Sequence, residues 1–233
     1  MTEETRWVNI PGDGKKLRMP TKDKFSLVGV KRLLIVEGKE DLFFLAGIVQ
    51  HLIEAGEDIL PFMAKSAGGA TEIPDEIEGT PQIPGYQTLE SIAVLRDADD
   101  NPRGSRESVL DAFARTGLLR KIRRRYTAIP GTPRVSVFLL PDDEHKGALE
   151  TACMNSALTT PQAPCIDEFL RCADRAITRK QPQTISQQHK SWAYAFLATT
   201  DKPEDEVSEA CWAGTWDITS KEFIKLIGFL RTF

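Results

Sequence analysis

The chain has little of what marks secreted, membrane or thiolate-metal proteins. Thirty Lys and Arg against 34 Asp and Glu give a net charge of -4, so no global field attracts a polyanion and any basic binding surface must be local. Cysteine is sparse: Cys153, Cys165, Cys172 and Cys211 form no C-x-x-C pair, and His51, His145 and His189 show none of the close spacings of a zinc site. The four thiols read as plain buried thiols in a reducing cytoplasm. No stretch approaches the ~20 apolar residues that span a bilayer, and the opening "MTEETRWVNIPGDGKK" has no signal-peptide core. A soluble, cytoplasmic protein is expected. No "GxxxxGK[ST]" phosphate loop occurs, so if ATP is used a separate ATPase subunit must bind it.

What is present is an alternation of short apolar runs with amphipathic segments. At 233 residues the chain suits one large domain, or a core domain with an appendage. A polar lead-in covers residues 1–24, an α/β domain 25–160 and a helical extension 161–233, packed on the core. Strands are expected at Arg32 to Val36, Ile59 to Lys65, Ser91 to Leu95 and Val135 to Leu140. Glu40 to Ala55 reads as a helix, because Leu42, Leu45, Val49 and Leu52 recur at helical spacing. Ile73 to Gly85, rich in Pro and Gly, reads as a turn or a broken helix. Helices are expected again over Cys165 to Ile177, Gln187 to Ala198 and Lys221 to Phe233. Near-continuous apolar strands alternating with helices predict a mostly parallel, Rossmann-like sheet of about four strands with helices on both faces.

In such a sheet the functional groups collect at the carboxyl ends of the strands, and that is where the acids fall. Glu37 ends the first strand, Asp97 and Asp99 the third, and Asp142 and Asp143 the fourth. Alternation along a strand points Asp97 and Asp99 the same way. Asp41 sits in the first turn of the following helix, and Glu150 at the start of another. Carboxylates this close raise one another's pKa unless a cation lies between them, and oxygen-only donors favour a hard divalent ion, Mg²⁺ or Mn²⁺, over zinc. Any one of these acids is readily explained as a turn or surface residue. Their conjunction, each after its own apolar strand, is what suggests a site.

"IVEGKED" followed by "VLRDADD" resembles the Toprim domain, shared by topoisomerases, bacterial-type primases, the overcoming-lysogenization-defect nucleases and a ribosomal RNA maturase. The match runs from about Lys31 to Glu150. A longer pattern, Pro141-Asp142 with Gly147-Ala148-Leu149-Glu150 and Lys190-Ser191-Trp192-Ala193 with Leu197-Ala198, resembles a small group of stand-alone Toprim-like proteins related to those nucleases. The resemblance implies Glu37 as a metal ligand or general acid/base, Asp97 and Asp99 as metal ligands, and Asp41 and Glu150 as supporting acids. It departs in two places. The glycine after the DxD is displaced to Gly104, and Gly68-Gly69 is followed by Ala70 and Thr71 where a basic residue would contact phosphate.

The expected function is Mg²⁺- or Mn²⁺-dependent cleavage of phosphodiester bonds in DNA or RNA, with Glu37, Asp97, Asp99 and Glu150 as the catalytic set. The alternatives are a non-catalytic module that binds nucleic acid, nucleotide or protein, and primase-like nucleotidyl transfer. The densest basic block, Arg120, Lys121, Arg123, Arg124 and Arg125 in "LLRKIRRRY", is the candidate phosphate-backbone track, with a solvated helix face as its plain explanation. Lys146 and Lys190 are candidates to meet phosphoryl charge. Trp192, Trp212 and Trp216 read as core aromatics rather than base-stacking platforms.

Overall fold

The computed structural model describes residues 7–10 (backbone), 25–123, 125–178, 181–204 and 206–233. The rest of the predicted polar lead-in lies outside the described residues, as does Arg124. Five strands form the main sheet in the order β1-β3-β2-β4-β7. They are β1 (Trp7–Ile10), β2 (Arg32–Val36), β3 (Phe62–Ser66), β4 (Ser91–Asp97) and β7 (Arg134–Leu140). β2, β3, β4 and β7 are mutually parallel, and β1 adds an antiparallel edge beside β3. The four parallel strands match the expectation; β1 was not anticipated, because its four residues stand alone in a polar segment.

Each parallel strand is sandwiched, and its residues sort by parity. Leu34, Val36, Phe62, Ala64, Ala93, Leu95, Phe138 and Leu140 enter one core cluster; Leu33, Ile35, Met63, Ile92 and Val94 enter the other. Burial on both faces is why Arg32–Val36 and Ser91–Asp97 carry unbroken apolar runs. The first face is covered by α1 (Lys39–Glu54), α4 (Leu149–Ala157), α6 (Ile185–Leu197), α7 (Val207–Ala213) and α8 (Lys221–Thr232), and α5 (Ala163–Ala176) joins through Ala163 and Ile166. The second is covered by α2 (Ile73–Gly79) and α3 (Pro102–Arg115). The C-terminal helices are therefore part of one core with the sheet. Trp192 and Trp216 are buried in that core, stacked in series with Phe196.

Two segments differ from expectation. Ile73 to Gly85 contains a real helix, α2, followed by short 3₁₀ turns at Thr80–Gln82 and Tyr86–Thr88. Pro74 is tolerated because it falls in the first turn, where its missing N–H would have no partner. "LLRKIRRRY" forms no helix: it builds the antiparallel hairpin β5 (Leu119–Ile122) and β6 (Arg125–Ala128). Tyr126 anchors it to α3 by donating a 2.7 Å hydrogen bond to Asp111, which also pairs with Lys121.

Candidate functional site

A cleft of about 490 Å³ opens at the carboxyl edge of the parallel sheet, where β2, β3 and β4 deliver their last residues to the starts of α1 and α4. Glu37, Glu40, Asp41, Asp97 and Glu150 line it, with Ser66, Gly68, Gly69, Lys39 and Lys190. Its acids come from three strand–helix junctions remote in sequence.

Glu37 follows the last residue of β2 and accepts a 3.4 Å hydrogen bond from the Asp97 N–H. The buried Arg96 guanidinium stands 4.0 Å from it. Burial pushes the Glu37 pKa up despite Arg96, and Asp99 and Glu150 push the same way. Asp97 ends β4 and accepts from the N–H of Leu149 at 3.1 Å, the first residue of α4, so the strand end and the helix start fix each other. Burial, then Asp41, Glu37 and Glu150, hold its pKa well above the usual carboxylate range. Asp41 turns back to accept from the Gly38 N–H at 2.7 Å, satisfying one of the orphan donors at the start of α1. Burial and the surrounding acids push its pKa up to about 7. Glu150, in the first turn of α4, is buried and ion-paired to Lys190 at 3.3 Å. Burial would lower the Lys190 pKa, yet Glu150 and its neighbours more than offset this and raise it.

Asp99 departs from the reading by alternation. β4 stops at Asp97, and Asp99 lies in the left-handed region with φ 51°. Its backbone bridges to Gly147 through two hydrogen bonds of 2.8 and 3.0 Å. The side chain is exposed and does not line the cleft, although its charge still raises Glu37 and Asp97. Asp142 and Asp143, also at a strand end, serve the turn instead: Asp142 accepts from the Glu144 and His145 N–H groups, and Asp143 from that of Leu139.

Among the described basic candidates, Lys190 alone reaches the cleft. Lys146 is exposed and outside its lining. Arg120, Lys121, Arg123 and Arg125 belong to the hairpin, which follows the far end of α3. That helix starts near Asp99 and runs 14 residues, about 20 Å, back toward the opposite edge of the sheet.

Sequence reasoning missed Glu40, which accepts hydrogen bonds from the Tyr194 hydroxyl (3.3 Å) and the Val207 N–H (3.2 Å). The pair bears on both groups: burial and Glu40 push Tyr194 up to about 12, and burial and Glu150 raise Glu40. The clue was present in "EGKED", which places two acids, not one, in the first turn of α1. Ser66 was also missed, for want of the register of β3.

The raised carboxyls set a pH dependence. Between the unfolded carboxylate range and pH 7 the native protein holds more protons than the unfolded chain, so stability falls as pH rises through that window. Asp41, at about 7, titrates within it, and burial with the surrounding acids shifts Asp97, Glu37 and Glu40 in the same direction. Without divalent cations, the thermal midpoint is expected to be higher at pH 5 than at pH 7.5. A midpoint rising over that interval would show that the acids are not strained by one another.

Among the described residues, no group of three His, Cys, Asp or Glu side chains is placed as a ready-made metal cage. Asp41 and Asp97 each spend an oxygen on a backbone N–H and Glu150 faces Lys190. The donor chemistry nevertheless suits a hard divalent ion. The acids of the cleft offer carboxylate oxygens, and no thiol or imidazole lines it.

The fold and cleft define an α/β protein of the Rossmann-like class with an acidic site at the carboxyl edge of a four-stranded parallel sheet. The chain belongs to the family described as protein of unknown function (DUF3226), which matches residues 31–233. No curated protein and no solved structure matches it. No helix among the described residues is long and apolar enough to cross a membrane.

Proposed function

We propose that the protein is a Toprim-type phosphodiesterase that cleaves nucleic acid with Mg²⁺ or Mn²⁺ held by Glu37, Asp41, Asp97 and Glu150. The observation that carries this reading is the gathering of these four acids in one cleft, where burial and mutual repulsion raise Glu37, Asp41 and Asp97. A divalent cation would relieve that repulsion. Asp99 adds charge from outside the lining. When bound, the ion would supply polarisation of a phosphate oxygen and an acidified water.

The protein's own groups account for the remaining needs. Glu37, its pKa raised by burial, would suit a proton acceptor or donor at the scissile phosphate where it is not itself a metal ligand. Lys190, held by Glu150, places a cation where phosphoryl charge develops. A separate ATPase subunit would fit beside such an enzyme as a regulator.

The test is incubation with single- and double-stranded DNA and RNA, with Mg²⁺ or Mn²⁺, comparing wild type with Glu37→Ala and Asp97→Ala. Wild type is expected to release fragments from at least one substrate, and both variants to fail on it. If all three behave alike, the enzyme reading is rejected and the non-catalytic binding module takes its place.

A further inference from the structure

The carboxylates occupy only part of the cleft; its other end is built differently. Ser66 is the last residue of β3, and its Oγ is buried without a hydrogen-bond partner. Four buried side-chain oxygens among the described residues are in this state, those of Ser66, Ser91, Ser186 and Ser220, and of these Ser66 alone lines the cleft. Parity explains its direction. Phe62 and Ala64 face the α1 and α4 side of the sheet, so Ser66, two residues on, faces that side too. Leaving a buried hydroxyl unpaired is costly, and buried polar groups ordinarily have a partner. A site that leaves one facing a cleft has room for an incoming acceptor or donor.

The surroundings favour an anion. The start of α1, a 16-residue helix whose Gly38 N–H is taken by Asp41, lines the same cleft through Gly38, Lys39 and Glu40, and a helix start presents a positive dipole end. The chain then leaves Ser66 through Gly68 and Gly69, with φ of 98° and 147°, and a side chain begun at either would meet no atom within 4 Å. Both glycine N–H groups donate to the Glu37 carbonyl, at 3.0 and 2.9 Å, which ties this loop to the strand end carrying the acids. Ser66 and Asp97 are separated by the β2 strand between them, about two strand spacings or ~10 Å, so one group cannot contact both ends at once.

We infer that Ser66, with the start of α1, binds a phosphate group of the nucleic-acid strand next to the one held at the carboxylates. This rests on the proposed phosphodiesterase reading and supplies the phosphate contact that Ala70 and Thr71 do not provide. The hydroxyl donates to a nonbridging oxygen, and Gly68 and Gly69 leave the approach open.

The test uses the full-length protein, wild type and Ser66→Ala, titrated calorimetrically with Mn²⁺ alone, and then, with and without Mn²⁺, with inorganic phosphate and with a single-stranded phosphorothioate oligonucleotide. Ser66→Ala is expected to weaken both phosphate ligands about tenfold, the value of one hydrogen bond to a charged group, while leaving Mn²⁺ affinity within about twofold. Its thermal midpoint should not fall, because the hydroxyl removed has no protein partner. Equal phosphate and oligonucleotide affinities in the two proteins, or no binding of either ligand by wild type, overturns the Ser66 assignment. Phosphate taken up through Ser66 by a protein that binds no Mn²⁺ overturns the metal reading alone. Loss of oligonucleotide affinity with inorganic phosphate unchanged supports a strand phosphate; loss for inorganic phosphate only overturns it.

Discussion

Asp97→Asn is expected to abolish measurable Mn²⁺ binding, to lower phosphodiester cleavage by about 10³-fold or more, and at the same time to raise the thermal midpoint of the metal-free protein. The three effects have one cause. Asp97 is the acid on which the others converge: Asp41, Glu37, Glu150 and Asp99 all raise its pKa. Asparagine keeps the side-chain oxygen that accepts from the Leu149 N–H, so the junction of β4 with α4 survives. It removes the charge, and with it the repulsion imposed on Glu37 and Asp41 at neutral pH. A residue whose only role was structural would give the reverse, a lower midpoint with no change in metal affinity. Isothermal titration with Mn²⁺ and a melting curve at pH 7.5 decide between them, and a variant that binds Mn²⁺ like wild type sinks the assignment of Asp97 as a ligand. The gain in midpoint should shrink at pH 5, because burial raises the pKa values of Asp41, Asp97 and Glu37 and their charge falls with pH.

Much of the architecture was legible because two-sided burial leaves a strong trace. Leu33 to Val36 and Ile92 to Leu95 have no polar residue, so a covered parallel strand was the natural reading, and Glu37 and Asp97 then had to lie at its rim. Asp99 was misplaced because alternation holds only while the strand lasts. The bridge to Gly147 that turns it away is a contact across 48 residues, invisible to local pattern. Ser66 and Glu40 were hidden for a similar reason: what makes each notable is the cleft it faces, set by the register of β3 against β2 and by partners remote in sequence, Tyr194 and Val207. The hairpin at "LLRKIRRRY" lacked its usual signal. Arg123 stands just past β5, where Asn-Gly would announce a turn, and it adopts φ 57° without being Gly or Asn.

The largest stability effect is expected far from the cleft, at the other end of β2. Arg32 is the first residue of that strand and is buried. Its guanidinium donates to the carbonyls of Phe233 (2.8 Å), Leu60 (2.9 Å) and Leu230 (2.9 Å). It also lies over the Phe233 ring at 4.1 Å and nearer its edge of reach to Phe62 at 5.8 Å. One side chain therefore satisfies carbonyls at the end of α8, where a helix has no donors of its own, and ties that helix to the sheet. Burial, with Arg134 close by, pulls its pKa down to about 10, so the charge persists at neutral pH. Arg32→Met matches the length of the stem but leaves three carbonyls without their donor, at about 1–3 kcal/mol each where water cannot replace it. A loss of about 3–5 kcal/mol is expected, a large share of the ~5–15 kcal/mol that holds a domain together. Urea unfolding would read this as a lower midpoint. Arg32→Lys should fall between, since one ammonium cannot span three carbonyls. Mn²⁺ affinity of the remaining folded protein should not change, because β2 runs about 17 Å from Arg32 to Glu37. A midpoint within about 1 kcal/mol of wild type for Arg32→Met would mean that α8 is held by its apolar face alone, through Phe223, Leu226, Ile227 and Leu230.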